Sequence, residues 1–115
     1  MRNFRELHIW ELAIGFSVQV YSATDKFPKR EQYGLVSQMN RASVSIASNI
    51  AEGCRGSDKE LVHYLNLALG SSFELETQLI IAQRLEYIEQ KQFNSLIEQL
   101  NILQKRINAF RSSIK

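Results

Sequence analysis

The sequence has few of the residues that break helices or cross-link chains. Its 115 residues include one cysteine, one proline and five glycines. Cys54 alone cannot form an intrachain disulfide or a Cys-x-x-Cys motif, which excludes a disulfide scaffold and a zinc ribbon. Because Pro28 is the single proline, long uninterrupted helices are permitted almost everywhere else in the chain.

The sequence also lacks a large excess of positive or negative charge and has no long apolar run. The 14 Lys and Arg against 12 Asp and Glu leave a formal net charge of +2, far below the basic excess of a dedicated duplex-binding protein. No apolar run approaches the ~18 residues of a membrane span, and the N-terminal residues lead into no signal-peptide-like segment. We therefore expect an unprocessed cytoplasmic protein with no membrane partner and no known small-molecule substrate.

Helical periodicity is what the sequence does contain. Apolar residues recur at steps of three and four in four segments, about residues 5–25, 31–53, 58–84 and 89–113, with no competing β-type alternation. The predicted fold class is all-α: a single domain, residues 1–115, folded as an antiparallel up-down-up-down four-helix bundle. The apolar stripes are Ile9, Ala13, Phe16 and Val20; Leu35, Met39, Ala42, Ile46 and Ile50; Leu61, Leu65, Ala68, Ser72, Leu75, Leu79 and Ala82; and Phe93, Leu96, Leu100, Leu103, Ile107, Phe110 and Ile114.

The connection between the second and third segments carries two helix-end signals. Gly53 is placed as a left-handed residue that closes the second helix. Ser57 and Glu60 have the spacing of a capping box, which predicts that the third helix starts there. Because the connection is short, the two helices must run antiparallel.

Apolar residues also lie outside these stripes. A second stripe on the first helix holds Trp10, Ile14 and Tyr21, and the third helix adds Val62, Leu67, Leu69, Phe73 and Ile80. A helix in a four-helix bundle normally buries one stripe and exposes the rest to solvent. The surplus predicts a surface for another copy of the chain, and therefore a homo-oligomer.

Two sequence blocks carry a resemblance to a known family. Residues 37–53, which end in Ser-Asn-Ile-Ala-Glu-Gly, and residues 74–79, Glu-Leu-Glu-Thr-Gln-Leu, resemble four-helix-bundle proteins encoded in intervening sequences of bacterial 23S rRNA genes. The layout fits from about residue 4 to 110. The resemblance implies a closed bundle assembled as a homopentamer, with no established enzymatic activity. The positions matching the family motif, to which we assign structural roles, are Arg41, Asn49, Glu52, Gly53, Ser57, Glu60 and Glu74.

The same family resembles the accessory variability proteins of diversity-generating retroelements. Those are strongly basic pentamers implicated in contacts with nucleic acid and a reverse transcriptase, and this chain departs from them in its small net charge. Along the sequence, no basic patch interleaved with aromatic residues is found. The candidate contacts to RNA, DNA or a ribonucleoprotein are Arg41, Arg55, Lys59, Arg84, Lys105, Arg106 and Arg111.

For Arg41 we weigh a structural role more heavily. In an antiparallel hairpin that turns near residues 55–56, Arg41 falls opposite Gly70 and within reach of Glu74. We therefore expect an Arg41–Glu74 ion pair that fixes the register of the two helices.

The residue spacings that resemble catalytic or metal sites are incomplete. Glu60 and His63 have the Glu-x-x-His spacing of di-iron bundles, but such a site needs a second copy and further glutamates. Arg2 and His8 have the Arg-x5-His spacing of helical ribonucleases, at a position that does not match those enzymes. Cys54 has no clear base partner, so we expect an inert thiol. No catalytic residue, metal or cofactor is assigned.

Three hypotheses follow. The leading one is a non-enzymatic, homo-oligomeric helical scaffold or adaptor. The first alternative is a nucleic-acid-binding accessory module that acts as a pentameric ring, and the second is a helical ribonuclease.

Overall fold

The computed structural model describes residues 2–114 and places a helix in each of the four periodic segments. Single 3₁₀ turns precede the first two helices. The helices are α1, His8–Thr24; α2, Leu35–Gly53; α3, Asp58–Arg84; and α4, Gln90–Ser113, and the 3₁₀ turns are Phe4–Glu6 and Lys29–Glu31.

The helices pack as an antiparallel up-down-up-down bundle. Each helix contacts its neighbours in sequence, and α4 closes the bundle against α1. Hydrogen bonds fix the register: the hydroxyls of Ser17 and Ser43 lie 2.9 Å apart, as do those of Ser45 and Ser71. The bundle measures 43 × 24 × 20 Å. The predicted fold class is confirmed.

The predicted stripes form most of the core, and four of their members are half-buried against it: Leu35, Phe93, Phe110 and Ile114. All four stripe residues of α1 and all seven of α3 are buried, including the polar Ser72. Ser72 is accommodated because its hydroxyl donates to the backbone carbonyl of Leu69 at 2.6 Å and accepts from the Gln104 amide at 3.3 Å. Each fully buried Leu or Ile side chain contributes roughly 1.5–3 kcal/mol.

The first two helices begin later than the periodicity predicts. The chain before α1 forms a 3₁₀ turn, because the Asn3 side chain accepts from the backbone N–H of Arg5, and Leu7 is then extended at φ −81° and ψ 124°. Before α2, the Glu31 carboxylate accepts from the backbone N–H of Leu35 at 3.1 Å. Both turns satisfy helix-end donors and so delay the α-helical geometry.

Glu31 joins two loops at one end of the bundle. Besides capping α2, its carboxylate accepts from the Tyr87 hydroxyl at 2.8 Å. The hydrogen bond from Leu35, with that from Tyr87, lowers the pKa of Glu31. Tyr87 is positioned by the end of α3, where its N–H donates to the carbonyl of Ala82 and Glu86 has a left-handed φ of 62°.

Replacing Glu31 with glutamine should weaken the fold at pH 7 and have less effect in acid. Because the folded pKa of Glu31 lies below its ordinary value of 4.5, its contribution is present above that pH and is lost as the pH falls through the folded pKa. Urea denaturation at pH 7 and pH 3 measures this. The difference in unfolding free energy between wild type and Glu31→Gln should shrink at pH 3, whereas a constant difference would contradict it. Glu98→Gln, at an exposed position on α4, is the control.

Gly53 closes α2 for a different reason from the one predicted. Within the described residues no glycine has a positive φ, and Gly53 is a buried, helical residue. A Cβ there would lie 2.8 Å from Cβ of Tyr64 and 3.0 Å from Cδ1 of Leu61. The glycine is needed because α2 and α3 approach closely at this point, not because the backbone turns left-handed.

Candidate interaction surfaces

The outer face of the α1–α2 pair is the first candidate surface. Val18 is 61% exposed and Tyr21 is 50% exposed, and Ile14 and Val44 are also exposed. Their neighbour Trp10 is half-buried against the core. We call this the α1–α2 face, defined by Trp10, Ile14, Val18, Tyr21 and Val44.

The α1–α2 face lies on two helix segments that carry no charge. Residues 12–24 of α1 and residues 42–51 of α2 contain no Asp, Glu, Lys or Arg. Exposed helix surfaces normally carry charged and polar side chains opposite the core. A charge-free face with exposed aliphatic and aromatic side chains is typical of a protein–protein contact.

A second apolar surface lies on α3. Leu67, Ile81 and Leu85 are exposed and share one side of the helix, because their spacings of 14 and 4 residues return to the same direction. Glu74, seven residues from both Leu67 and Ile81, lies on the same side and is also exposed, so one carboxylate divides the strip. We call Leu67, Ile81 and Leu85 the α3 strip. Since α1 and α3 each pack against both α2 and α4, the two helices lie diagonally across the bundle.

The basic candidates are distributed over the molecule. Lys59 lies in the first turn of α3 and Arg84 is its last residue, so about 37 Å of helix separates them. Lys105 and Arg106 are adjacent on α4 and therefore point about 100° apart. Arg41 is exposed on α2, and Arg55 lies in the loop after it. Of these seven residues, Lys105 and Arg111 line the same groove.

That groove runs between α3 and α4 and has a volume of about 520 Å³. Its lining includes Phe73, 57% exposed, together with Lys105 and Arg111. The guanidinium of Arg111 donates to the Asn66 amide oxygen at 2.6 Å and to that of Asn108. Sequence inspection missed this patch because its aromatic and basic members lie more than 30 residues apart and meet only when α3 packs on α4.

A second cavity, about 600 Å³, lies beside the N-terminal 3₁₀ turn. Arg2, Arg5 and Arg55 line it, together with Glu52. Its positive charge is partly compensated, because Arg2 forms an ion pair with Asp58 at 2.8 Å and the Glu52 carboxylate lies in the same lining. Arg5 stacks on the Phe4 ring, which leaves its charge in place.

The residues considered for catalysis lie in a helix cap, in the core and on the surface. Glu60 completes the predicted capping box, and the hydrogen bond from the backbone of Ser57 lowers its pKa. Cys54 is buried, which raises the pKa of its thiol. His8 is exposed at the start of α1. Among residues 2–114, no three His, Cys, Asp or Glu side chains are grouped to hold a metal ion.

The expected Arg41–Glu74 ion pair is not formed between these two described residues. The contact between Ser45 and Ser71 sets a register in which Arg41 faces position 75, about five residues beyond Gly70. This register places Arg41 level with Glu74, so a shift between the two helices does not explain the missing pair. Both side chains are exposed, where such a pair would add little stability.

Asn49 has a local role that the motif alone does not show. Its amide donates to the backbone carbonyl of Ser45 at 2.9 Å and to the Ser45 hydroxyl at 3.0 Å. That hydroxyl in turn contacts Ser71 of α3. Asn49 therefore orients the polar contact that aligns α2 with α3.

These features define the class: an all-α four-helix-bundle protein that presents apolar faces and a basic groove. In the described part of the chain, no helix has the length and apolar character needed to cross a bilayer. Comparison with protein-family models matches residues 5–109 to the family described as 23S rRNA-intervening sequence protein. The chain belongs to this family, as the two sequence blocks indicated.

A solved structure has the same fold. It is a protein of unknown function from the S23 ribosomal protein family of Bacteroides thetaiotaomicron VPI-5482. The alignment has a TM-score of 0.83 at 23% sequence identity and covers 90% of this chain and 95% of that chain. The comparison with curated proteins gave no match.

Proposed function

We propose that the protein is a non-enzymatic, homo-oligomeric helical scaffold of the cytoplasm, assembled through the α1–α2 face. The observation that carries the proposal is the absence of charge from residues 12–24 and 42–51, although Val18, Tyr21 and Val44 are exposed there. Covering these side chains removes apolar surface from water, at roughly 25 cal/mol per Å².

A head-to-tail arrangement suits the two apolar surfaces. The α1–α2 face includes α1, and the α3 strip lies on the helix diagonal to it. When two different surfaces of a protomer meet in each contact, the assembly closes as a ring if the rotation allows it. In the proposed assembly the α1–α2 face of one copy covers the Ile81 and Leu85 end of the α3 strip of the next, which leaves the Glu74 carboxylate about 10 Å further along the helix in water. The family resemblance implies five copies.

Replacing Val18 with glutamate should dissociate the oligomer, because the contact would bury an unpaired carboxylate. Light scattering coupled to size-exclusion chromatography should give about five times 13.3 kDa for wild type and about 13.3 kDa for Val18→Glu. Gln19→Glu adds the same charge one residue away, about 100° around α1, and should remain oligomeric. A monomeric wild type at tens of micromolar, or an oligomeric Val18→Glu, would contradict the proposal.

Mixing two variants tests which surfaces meet. Val18→Glu keeps the α3 strip intact, and Ile81→Glu keeps the α1–α2 face intact. In a head-to-tail contact both variants are monomers alone, and their mixture forms a heterodimer through the one undamaged pair of surfaces. If the α1–α2 face instead paired with itself, Ile81→Glu would stay oligomeric and mixing would not rescue Val18→Glu.

A further inference from the structure

The groove between α3 and α4 combines an exposed aromatic ring with two cationic side chains. Phe73 comes from α3, and Lys105 and Arg111 come from α4. Within residues 2–114 no acidic side chain lines the groove, and neither cation takes part in an ion pair. Gln104, which lines the groove, donates a hydrogen bond to the carboxylate of Glu76 at 3.0 Å, and Glu76 itself is not part of the lining. The groove is therefore locally more positive than the net charge of the chain suggests.

Arg111 is held in place without being neutralised. Its guanidinium donates to the amide oxygens of Asn66 and Asn108, which fix its position at the groove wall but carry no charge. The floor beside it is open, since a Cβ added at Gly70 would have no neighbour within 4 Å. A fixed cation, an exposed lysine and an accessible ring thus surround an open space.

We infer that this groove binds single-stranded nucleic acid, with an unpaired base stacked on Phe73 and the adjoining phosphates neutralised by Lys105 and Arg111. Bases stack on aromatic side chains whatever their sequence, while cations along a groove follow the phosphates. The Phe73 ring is accessible to a flat ligand, because the side chain is exposed on the surface of α3 and does not pack into the core. A duplex does not offer an unpaired base for this contact, so single strands should be preferred.

The binding surface is distinct from the two apolar surfaces of the proposed oligomer. Phe73 lies about 120° around α3 from Leu67 and Leu85 and about 80° from Ile81, and the α1–α2 face is on other helices. Loss of binding and loss of assembly can therefore be separated by variants. Light scattering should show that each groove variant keeps the wild-type mass.

Fluorescence anisotropy with a labelled single-stranded RNA of 15 nucleotides at low salt tests the inference. Phe73→Ala should weaken binding about 5- to 150-fold, the range found for loss of one stacked base. Lys105→Gln should reduce the slope of log affinity against log salt by about 0.7, the value for one phosphate contact on a single strand. Gly70→Leu, which fills the groove without changing charge, should also weaken binding.

Arg106→Gln is the matched control, because it removes an equal charge from the adjacent position outside the groove. It should weaken binding less than Lys105→Gln does. Equal losses in these two variants would show nonspecific attraction and overturn the inference, as would unchanged binding in Phe73→Ala. Equal competition by AMP and by unlabelled strand would assign the groove to free nucleotides, and equal competition by duplex RNA would exclude base stacking; either overturns it too.

Discussion

Replacing Gly53 with alanine should lower the free energy of unfolding by about 1–2 kcal/mol. The added Cβ would lie 2.8 Å from Cβ of Tyr64 and 3.3 Å from the backbone Cα of Leu61, neither of which is the flexible end of a side chain. Overpacking of this kind costs about 1–3 kcal/mol, and the lower chain entropy of alanine offsets about 0.5–1 kcal/mol of it. Urea denaturation at pH 7 and one fixed protomer concentration measures the difference.

Gly15→Ala provides the comparison with the opposite sign. Gly15 is exposed within α1, and a Cβ there would meet no neighbour within 4 Å. The substitution should therefore stabilise the fold by about 0.5–1 kcal/mol, the helix-propensity gain alone. If both variants shift the free energy of unfolding in the same direction, the close approach of α2 and α3 at Gly53 is not the reason for the glycine.

The fold could be predicted because the spacing of apolar residues along a helix identifies the face that becomes buried. Every member of the α3 heptad stripe, from Leu61 to Ala82, is buried as its spacing predicts. Side chains at steps of three and four share one face, and only one face of a bundle helix can reach the core. The capping box at Ser57 and Glu60 fixed the start of α3 correctly for an equally local reason.

The limits of periodicity are visible in α3 outside that stripe. Leu67 and Leu69 are both leucines outside the predicted stripe, yet Leu67 is 44% exposed while Leu69 is buried. The difference depends on how far α4 wraps around α3, which is a tertiary property. The surplus apolar surface is accordingly smaller than the sequence suggests, and it is concentrated on the α1–α2 face, at the α3 strip and at Phe73.

The candidate site depended still more on tertiary contacts. The Arg41–Glu74 prediction failed although the two residues lie level with each other on α2 and α3, because exposed charged side chains gain little from pairing in water. The groove with Phe73 and Lys105 required the register of α3 against α4, for which no local signal exists. Residue identities supplied the chemistry of this groove, but their spacing along the chain could not place them together.

Replacing Leu103 with alanine should lower the free energy of unfolding by about 2–5 kcal/mol, the range for removing a buried leucine side chain. Leu103 is 2% exposed and lies between α1 and α4, where it borders a small cavity of about 110 Å³ with Leu12 and Phe16. The removed atoms should leave added cavity volume, which raises the cost above that of transfer alone.

Ile102→Ala is the control, because it removes apolar atoms from a neighbouring position that is not buried. Ile102 is adjacent to Leu103 on α4 and borders the same cavity, but it is 44% exposed. Its truncation should cost less than about 1 kcal/mol, because much of the side chain is already in water. Association contributes to apparent stability, so both variants must be compared at the same protomer concentration and with their mass checked by light scattering. Equal losses for the two variants would mean that α4 does not present Leu103 to the core of the bundle.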